Sequence, residues 1–307
     1  MERKAVWGHL LTLITMLIWG TTFASTKILL RDFSPVAILF YRFLIAFVLL
    51  SVLFPRTARA RRNLKEELLF GALGLTGITL YFLTENIALQ YTLAANVGLL
   101  IAAAPILTAV VAHCFTPDEK LSANLLLGFG IAISGVALVI FNGKIVMKLN
   151  PAGDILALAA ALLWAVYSVL LKKVSRDHHP IFVVKRTFFY GLLTIVPCLF
   201  IFKTDLRPGH AVAAPLLFNI LFLGVFASAL CFVMWNQAVK WIGVVKAGNY
   251  IYLVPLITMV TSLLVIHEKV NGLMVWGGFL ILGGVYISEK GLRSLTPFIR
   301  KNSLKEI

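Results

Sequence analysis

The sequence predicts an all-α integral membrane protein of ten transmembrane helices, laid out as two five-helix repeats inserted upside down relative to each other. Three observations lead there: the composition, the spacing of the apolar runs, and an internal repeat. Of the 307 residues, 60% are hydrophobic and 13% charged, whereas soluble domains carry about a quarter charged residues. The longest charged stretches, 55–67 and the tail after Ser288, are too short to form a domain. Apolar runs recur instead, and a run of about 20 residues crosses the roughly 30 Å of bilayer hydrocarbon as a helix.

The runs fall at 7–30, 34–54, 67–89, 92–114, 121–141, 152–173, 180–202, 213–239, 244–266 and 272–290. The first follows Met-Glu-Arg-Lys, a charged start like that of a signal peptide. It is too long for one and lacks a small-residue cleavage site, so it reads as an uncleaved span. The segments 31–33 and 90–91 leave room only for tight hairpins. Pro105 and Pro255 fall inside the fourth and ninth runs, where a proline removes a helix hydrogen bond and permits a kink.

Charge placement orients the spans. With the amino terminus in the cytoplasm, eighteen Lys/Arg lie in or beside cytoplasmic segments, six in external ones, and four (Lys27, Arg42, Lys185, Arg186) inside spans. This is the positive-inside asymmetry, anchored most strongly by Arg56, Arg59, Arg61, Arg62 and Lys65. It puts both termini in the cytoplasm, on a multi-pass protein of the cell membrane. The net charge of +15 is therefore topological, and no nucleic-acid partner is expected.

The chain repeats itself, the pattern to seek before any motif. WGTTFASTK at 19–27 matches WAVYSVLLK at 164–172, and the same offset of 145 carries Pro35 onto Pro180. At an offset of 150, ALQY at 88–91 matches AVKW at 238–241, Gly74 falls on Gly224, Asn86 on Asn236, Pro105 on Pro255 and Thr108 on Thr258. One residue is then lost, and Glu119 pairs with Glu268, Gly128 with Gly277 and Gly135 with Gly284. Five spans per half is an odd number, so the second copy enters the membrane inverted. Inverted repeats characterise secondary transporters, whose site lies near the midplane between the halves.

The WG at 19–20, the RF at 42–43, the block ALQYTLAANVGLLIAAAPILTAVVA, the Glu-Lys pair at 119–120 and the glycine-spaced GFGIAISGVALVI resemble an EamA-type member of the drug/metabolite transporter superfamily. The resemblance covers nearly the whole chain. It implies a first repeat at 5–142, a second at 151–290 and a cytoplasmic tail at 291–307. It also implies eight helices around a central cavity, with the fifth and tenth peripheral, and export of amino acids, other metabolites or drugs. It does not fix a substrate.

Ionisable groups inside a span cost about 2.5–3.5 kcal/mol on insertion scales and usually face a cavity or a partner. Lys27 and Glu85 fall about one turn below the outer boundary and Arg42 about two, with Asn96 at similar depth. Each has a bland reading beside the functional one. Lys27 is near enough to the surface to snorkel; Glu85 could neutralise a packing ion pair; Arg42 could tie helices together; Asn96 could bond a neighbouring helix. Trp19, Thr22, Phe23, Thr26 and Lys27 share one helical face, echoed by Trp164, Tyr167, Ser168 and Lys172. A lipid-facing stripe has no use for Thr, Ser and Lys, so both stripes read as cavity lining. Tyr81 shares the face of Glu85, and Cys231 and Trp235 occupy the equivalent places in the second half. A cytoplasmic layer holds Lys185, Arg186, Asn236, Lys246 and Tyr250, where Lys185 and Arg186 read as positive-inside anchors.

A site with both signs suits a zwitterion such as an amino acid. The expected partners are a small-molecule substrate, membrane lipid and, for coupling, protons or another ion, in a monomer or homodimer. Glu85 is the candidate proton carrier, being the only carboxylate well inside a span. No cofactor or metal is expected: the cysteines 114, 198 and 231 and the histidines 113, 178, 179 and 267 show no ligand spacing. GxxxxGK[ST], HExxH and GxSxG are absent, which argues against direct ATP use and against an intramembrane enzyme. A broad-specificity drug efflux pump is the alternative within the transporter class. A channel would need rings of identical groups, which one chain of unequal halves does not supply.

Overall fold

A computed structural model describes residues 2–56, 63–115, 123–141, 151–206, 214–265, 267 and 272–290. Among these residues the chain is helical throughout, with no strand. The helices are α1 (Glu2–Leu29), α2 (Pro35–Leu53), α3 (Leu64–Tyr91), α4 (Ala94–Ile101), α5 (Ala104–Phe115), α6 (Ala123–Phe141), α7 (Pro151–Ser175), α8 (Pro180–Ile201), α9 (Ala214–Ile242), α10 (Val244–Val265) and α11 (Gly272–Lys290). Seven of them are long and apolar enough to cross a membrane: α1, α2, α3, α7, α8, α9 and α10. The tail, Glu119 and Glu268 lie outside the described residues.

The starts of the helices follow from local chemistry. Ser34 caps α2, accepting from the Ala37 N–H at 3.2 Å, with Pro35 in the first turn. His179 Nδ1 caps α8 in the same way, followed by Pro180. A proline in the first turn has no N–H to leave unsatisfied, so it starts a helix at no cost. The turn from α9 into α10 is made at Gly243, whose φ of +87° suits a residue without a Cβ.

The expected span at 92–114 is interrupted at 102–103, between α4 and α5. Pro105 has no N–H to give the carbonyl of Ile101 and its ring crowds that carbonyl, so one helix ends there and the next begins with Pro105 in its first turn. In α10 the backbone tightens to a 3₁₀ turn over Tyr250–Leu253, again just ahead of the matched proline, Pro255. Two π-helical stretches, Leu75–Leu80 in α3 and Phe222–Leu230 in α9, also fall at matching places.

Packing exchanges elements between the halves. The middle of α3 packs on α8, and the middle of α9 packs on α2. Glycines allow the approach: a Cβ on Gly74 would stand 2.5 Å from Gly191 N, and one on Gly224 would stand 2.7 Å from Ile45 Cγ2. Helix α1 packs on α9 and α10, while α7 packs on α3 and α5. Helices α6 and α11 pack chiefly on each other. At the end where α3 begins, Arg186 and Tyr190 both bond Glu67, His178 pairs with Glu66, and Lys185 Nζ donates to Phe54 O at 2.8 Å.

Candidate central binding site

The centre of the helix assembly is aromatic. Trp19 of α1 meets Trp164 of α7 edge-on, with ring centroids 5.2 Å apart. Trp235 lies 5.5 Å from Trp19 and 5.7 Å from Trp164. Trp19 is fixed by its indole N–H, which donates to Ala227 O at 2.9 Å. Buried tryptophans combine a large apolar face with one donor that needs a partner. The indole Nε1 of Trp164 and that of Trp235 are buried without one.

Against these rings lies a cavity lined by Trp19, Thr22, Phe23, Arg42, Tyr81, Phe82, Glu85, Ile101, Trp164, Ile251 and Val254. A few polar groups among apolar walls is the usual composition of a small-molecule site. Arg42 is 1% exposed and Glu85 3%. The Arg42 guanidinium sits 4.2 Å from the centroid of the Phe82 ring and 5.1 Å from that of Phe43. Its Nε donates to Ser228 Oγ at 3.0 Å, and its Nη1 is buried with no protein acceptor. An arginine so placed presents a donor to whatever anionic group enters the cavity.

Seven of the residues predicted from sequence thus meet at one cavity: Trp19, Thr22, Phe23, Arg42, Tyr81, Glu85 and Trp164. The others lie around it. Lys27 Nζ donates to the carbonyls of Leu89 at 2.8 Å and Thr92 at 2.6 Å, at the end of α3. Asn96 donates to Thr92 Oγ1 at 3.2 Å. Thr26 and Ser168 are buried with hydroxyls that find no partner. Tyr167 and Trp235 are fully buried in the aromatic floor. Asn236 donates to Phe232 O within its own helix, and Tyr250 shares a 2.9 Å hydrogen bond with His9 Nδ1.

Four lining residues escaped the sequence reading: Phe82, Ile101, Ile251 and Val254. The repeat carried a signal for two of them, since Ile101 and Ile251 are mates at the offset of 150. Trp19 and Trp164 are mates at 145, so two matched pairs face one cavity. Among the described residues no three His, Cys, Asp or Glu side chains form a metal cage.

Comparison with known proteins agrees with this architecture. The EamA-like transporter family matches residues 6–141 and 151–289. An uncharacterized transporter of Archaeoglobus fulgidus is 29% identical over 91% of this chain and 96% of its own. A probable amino-acid metabolite efflux pump of Escherichia coli is 26% identical over 95% of this chain and 97% of its own. A probable terminal-alkyne amino-acid exporter of Streptantibioticus cattleyicolor is 26% identical, with 94% of each chain covered. One crystal structure superposes with a TM-score of 0.72 at 20% identity, over 92% of this chain and 96% of its own, a likeness of fold alone. With apolar helices of membrane-spanning length and the family matched in both halves, the chain is a multi-pass membrane transporter and belongs to the EamA-like transporter family.

Proposed function

We propose that the protein is a secondary active transporter that exports a small polar or amphipathic metabolite, such as an amino acid, across the cytoplasmic membrane. It does so by alternating access: ten spans form two inverted five-helix repeats, both termini are cytoplasmic, and the cavity opens to each side in turn. Inverted repeats flanking a midplane site rock against each other in transporters of this kind. The observation that carries the reading is a cavity lined by matched residues of both halves, with opposite charges, Arg42 and Glu85, on its wall. Such a pair suits a zwitterion: Arg42 takes the carboxylate and Glu85 the ammonium. Thr26, Lys27, Asn96, Tyr167, Ser168, Trp235, Asn236 and Tyr250, around the cavity rather than on its wall, are the further groups we assign to substrate binding. The names of the amino-acid exporters among the relatives favour the same class.

Glu85 is also the group we assign to proton coupling. In proteoliposomes the purified protein should catalyse saturable counterflow of its amino-acid substrate. Glu85→Gln should abolish uptake driven by a pH gradient while leaving the protein folded and inserted. Coupling unchanged by that substitution would remove Glu85 from the mechanism, and transport that never saturates would point to a channel instead. The aromatic wall favours one second reading, efflux of flat cationic drugs, since a cation is attracted to an indole face. Ligand-induced thermal stabilisation separates the two: amino acids raise the melting temperature in the first case and lipophilic cations in the second.

A further inference from the structure

Ser228 is not among the lining residues and belongs to no motif, yet it bonds one of the two charged groups on the cavity wall, Arg42. We infer that Ser228 is a positioning residue that aims the Arg42 guanidinium, and so sets the preference for substrates bearing a carboxylate. This rests on the transporter reading above.

Ser228 is fully buried, and its Oγ accepts from Arg42 Nε at 3.0 Å. The Phe82 ring confines the guanidinium on one side. With Nε engaged and the plane held against a ring, the fork can turn little, and Nη1 is left as a buried donor without a protein acceptor. Arginine recognises carboxylates through this planar fork, so its orientation decides the strength and selectivity of the contact.

The backbone around Ser228 is shaped for that reach. The residue lies in the π-helical stretch Phe222–Leu230, and π turns occur frequently at functional sites. One turn earlier Gly224 brings α9 against α2: a Cβ there would stand 3.3 Å from Arg42 O. The other half of the chain supplies an internal control. Helix α3 has the same π stretch and the same close glycine, Gly74, but the residues matched to Ser228 and Arg42 are Ile78 and Thr187. The packing of the π stretch therefore does not need a hydroxyl at this position. Where the arginine is present, the hydroxyl is present too.

The test uses purified full-length protein and two probes that differ by a carboxylate alone, phenylalanine and phenylethylamine, with Kd read from calorimetric titration. Ser228→Ala should weaken phenylalanine binding roughly tenfold, the scale of one hydrogen bond to a charged group, and leave phenylethylamine within about twofold. Ser228→Thr should restore the preference, because it restores the acceptor. If Ser228→Ala does not fold, Ser228→Cys, of similar shape but a poor acceptor, carries the same prediction. A merely structural role would weaken both probes together, which overturns the inference. An unchanged acid-to-amine ratio in Ser228→Ala, beside a collapsed ratio in Arg42→Ala, also overturns it while leaving the site intact. If Arg42→Ala does not change the ratio either, or the wild type binds neither probe, the carboxylate site falls and Ser228 with it.

Discussion

The last turn of a helix leaves carbonyl oxygens without a donor, and inside a membrane no water is at hand to serve them. At the end of α3 the ammonium of Lys27 takes up two of them, Leu89 O and Thr92 O. Lys27→Met keeps the apolar stem and removes the donor. It should cost about 1.5–3 kcal/mol, the range for hydrogen bonds to charged groups, seen as a melting temperature lowered by several degrees in detergent. Lys27→Arg should recover most of the loss, whereas an unchanged melting point for Lys27→Met would mean the two bonds contribute little. The stripe that contains Lys27 was legible from spacing alone: Trp19, Thr22 and Phe23 do share a face, and that face meets the cavity. The partners were not legible. Ser228 lies 186 residues from Arg42 in the chain, and a single serine among apolar residues carries no periodic signal.

Helices α3 and α9 show what hydropathy can and cannot reveal about an element. Their apolar length marks them as spans, but the π stretches in their middles come from a shift in hydrogen-bond register, which leaves no trace in residue order. Gly74 and Gly224 were visible as a matched pair, and their close contacts explain the match; Gly77, which falls on Ala227, was not. A Cβ on Gly77 would stand 2.1 Å from Tyr167 Cδ2, an overlap with a fully buried ring that has no room to withdraw. Gly77→Ala should therefore destabilise the protein by about 1–3 kcal/mol or more, as overpacking a core does. Gly130, with nothing within 4 Å of its Cβ position, is the comparison: Gly130→Ala should be neutral or slightly stabilising, since alanine favours helix. Thermal melting of the two variants side by side checks the prediction. Equal melting points would show that α3 can move away from α7 at little cost. The break between α4 and α5 was only half legible, because a proline permits either a kink or an interruption and the surrounding packing decides which.

For the whole molecule, the exchange of partners between halves sets the architecture. Helix α1 packs on α9 and α10 and α2 on α9, while α3 packs on α7 and α8, and α2 meets α8 between them, so helices from the two ends of the sequence are interleaved. The repeat in the sequence predicts a cavity between two inverted copies but not which helices cross over. The orientation it implies is open to a direct test. Asp32, in the turn after α1, and Asp177, in the turn after α7, are mates at the offset of 145. In an antiparallel arrangement they lie on opposite membrane faces, and in a parallel one on the same face. Single cysteines at these positions need a background in which Cys114, Cys198 and Cys231 are alanine, because Cys114 is itself exposed. An impermeant maleimide applied to intact cells should label position 32 and spare position 177. Tags at the two ends of the chain then fix the number of crossings. Ten crossings place both tags in the cytoplasm, as the excess of Lys and Arg on that side requires. If only the seven long helices cross, the number is odd and the tags are separated by the membrane. A C-terminal tag reached from outside, with the N-terminal tag protected, would mean that α4, α5, α6 and α11 do not complete the repeats as spans, and the rocking of two equivalent halves would have no structural basis.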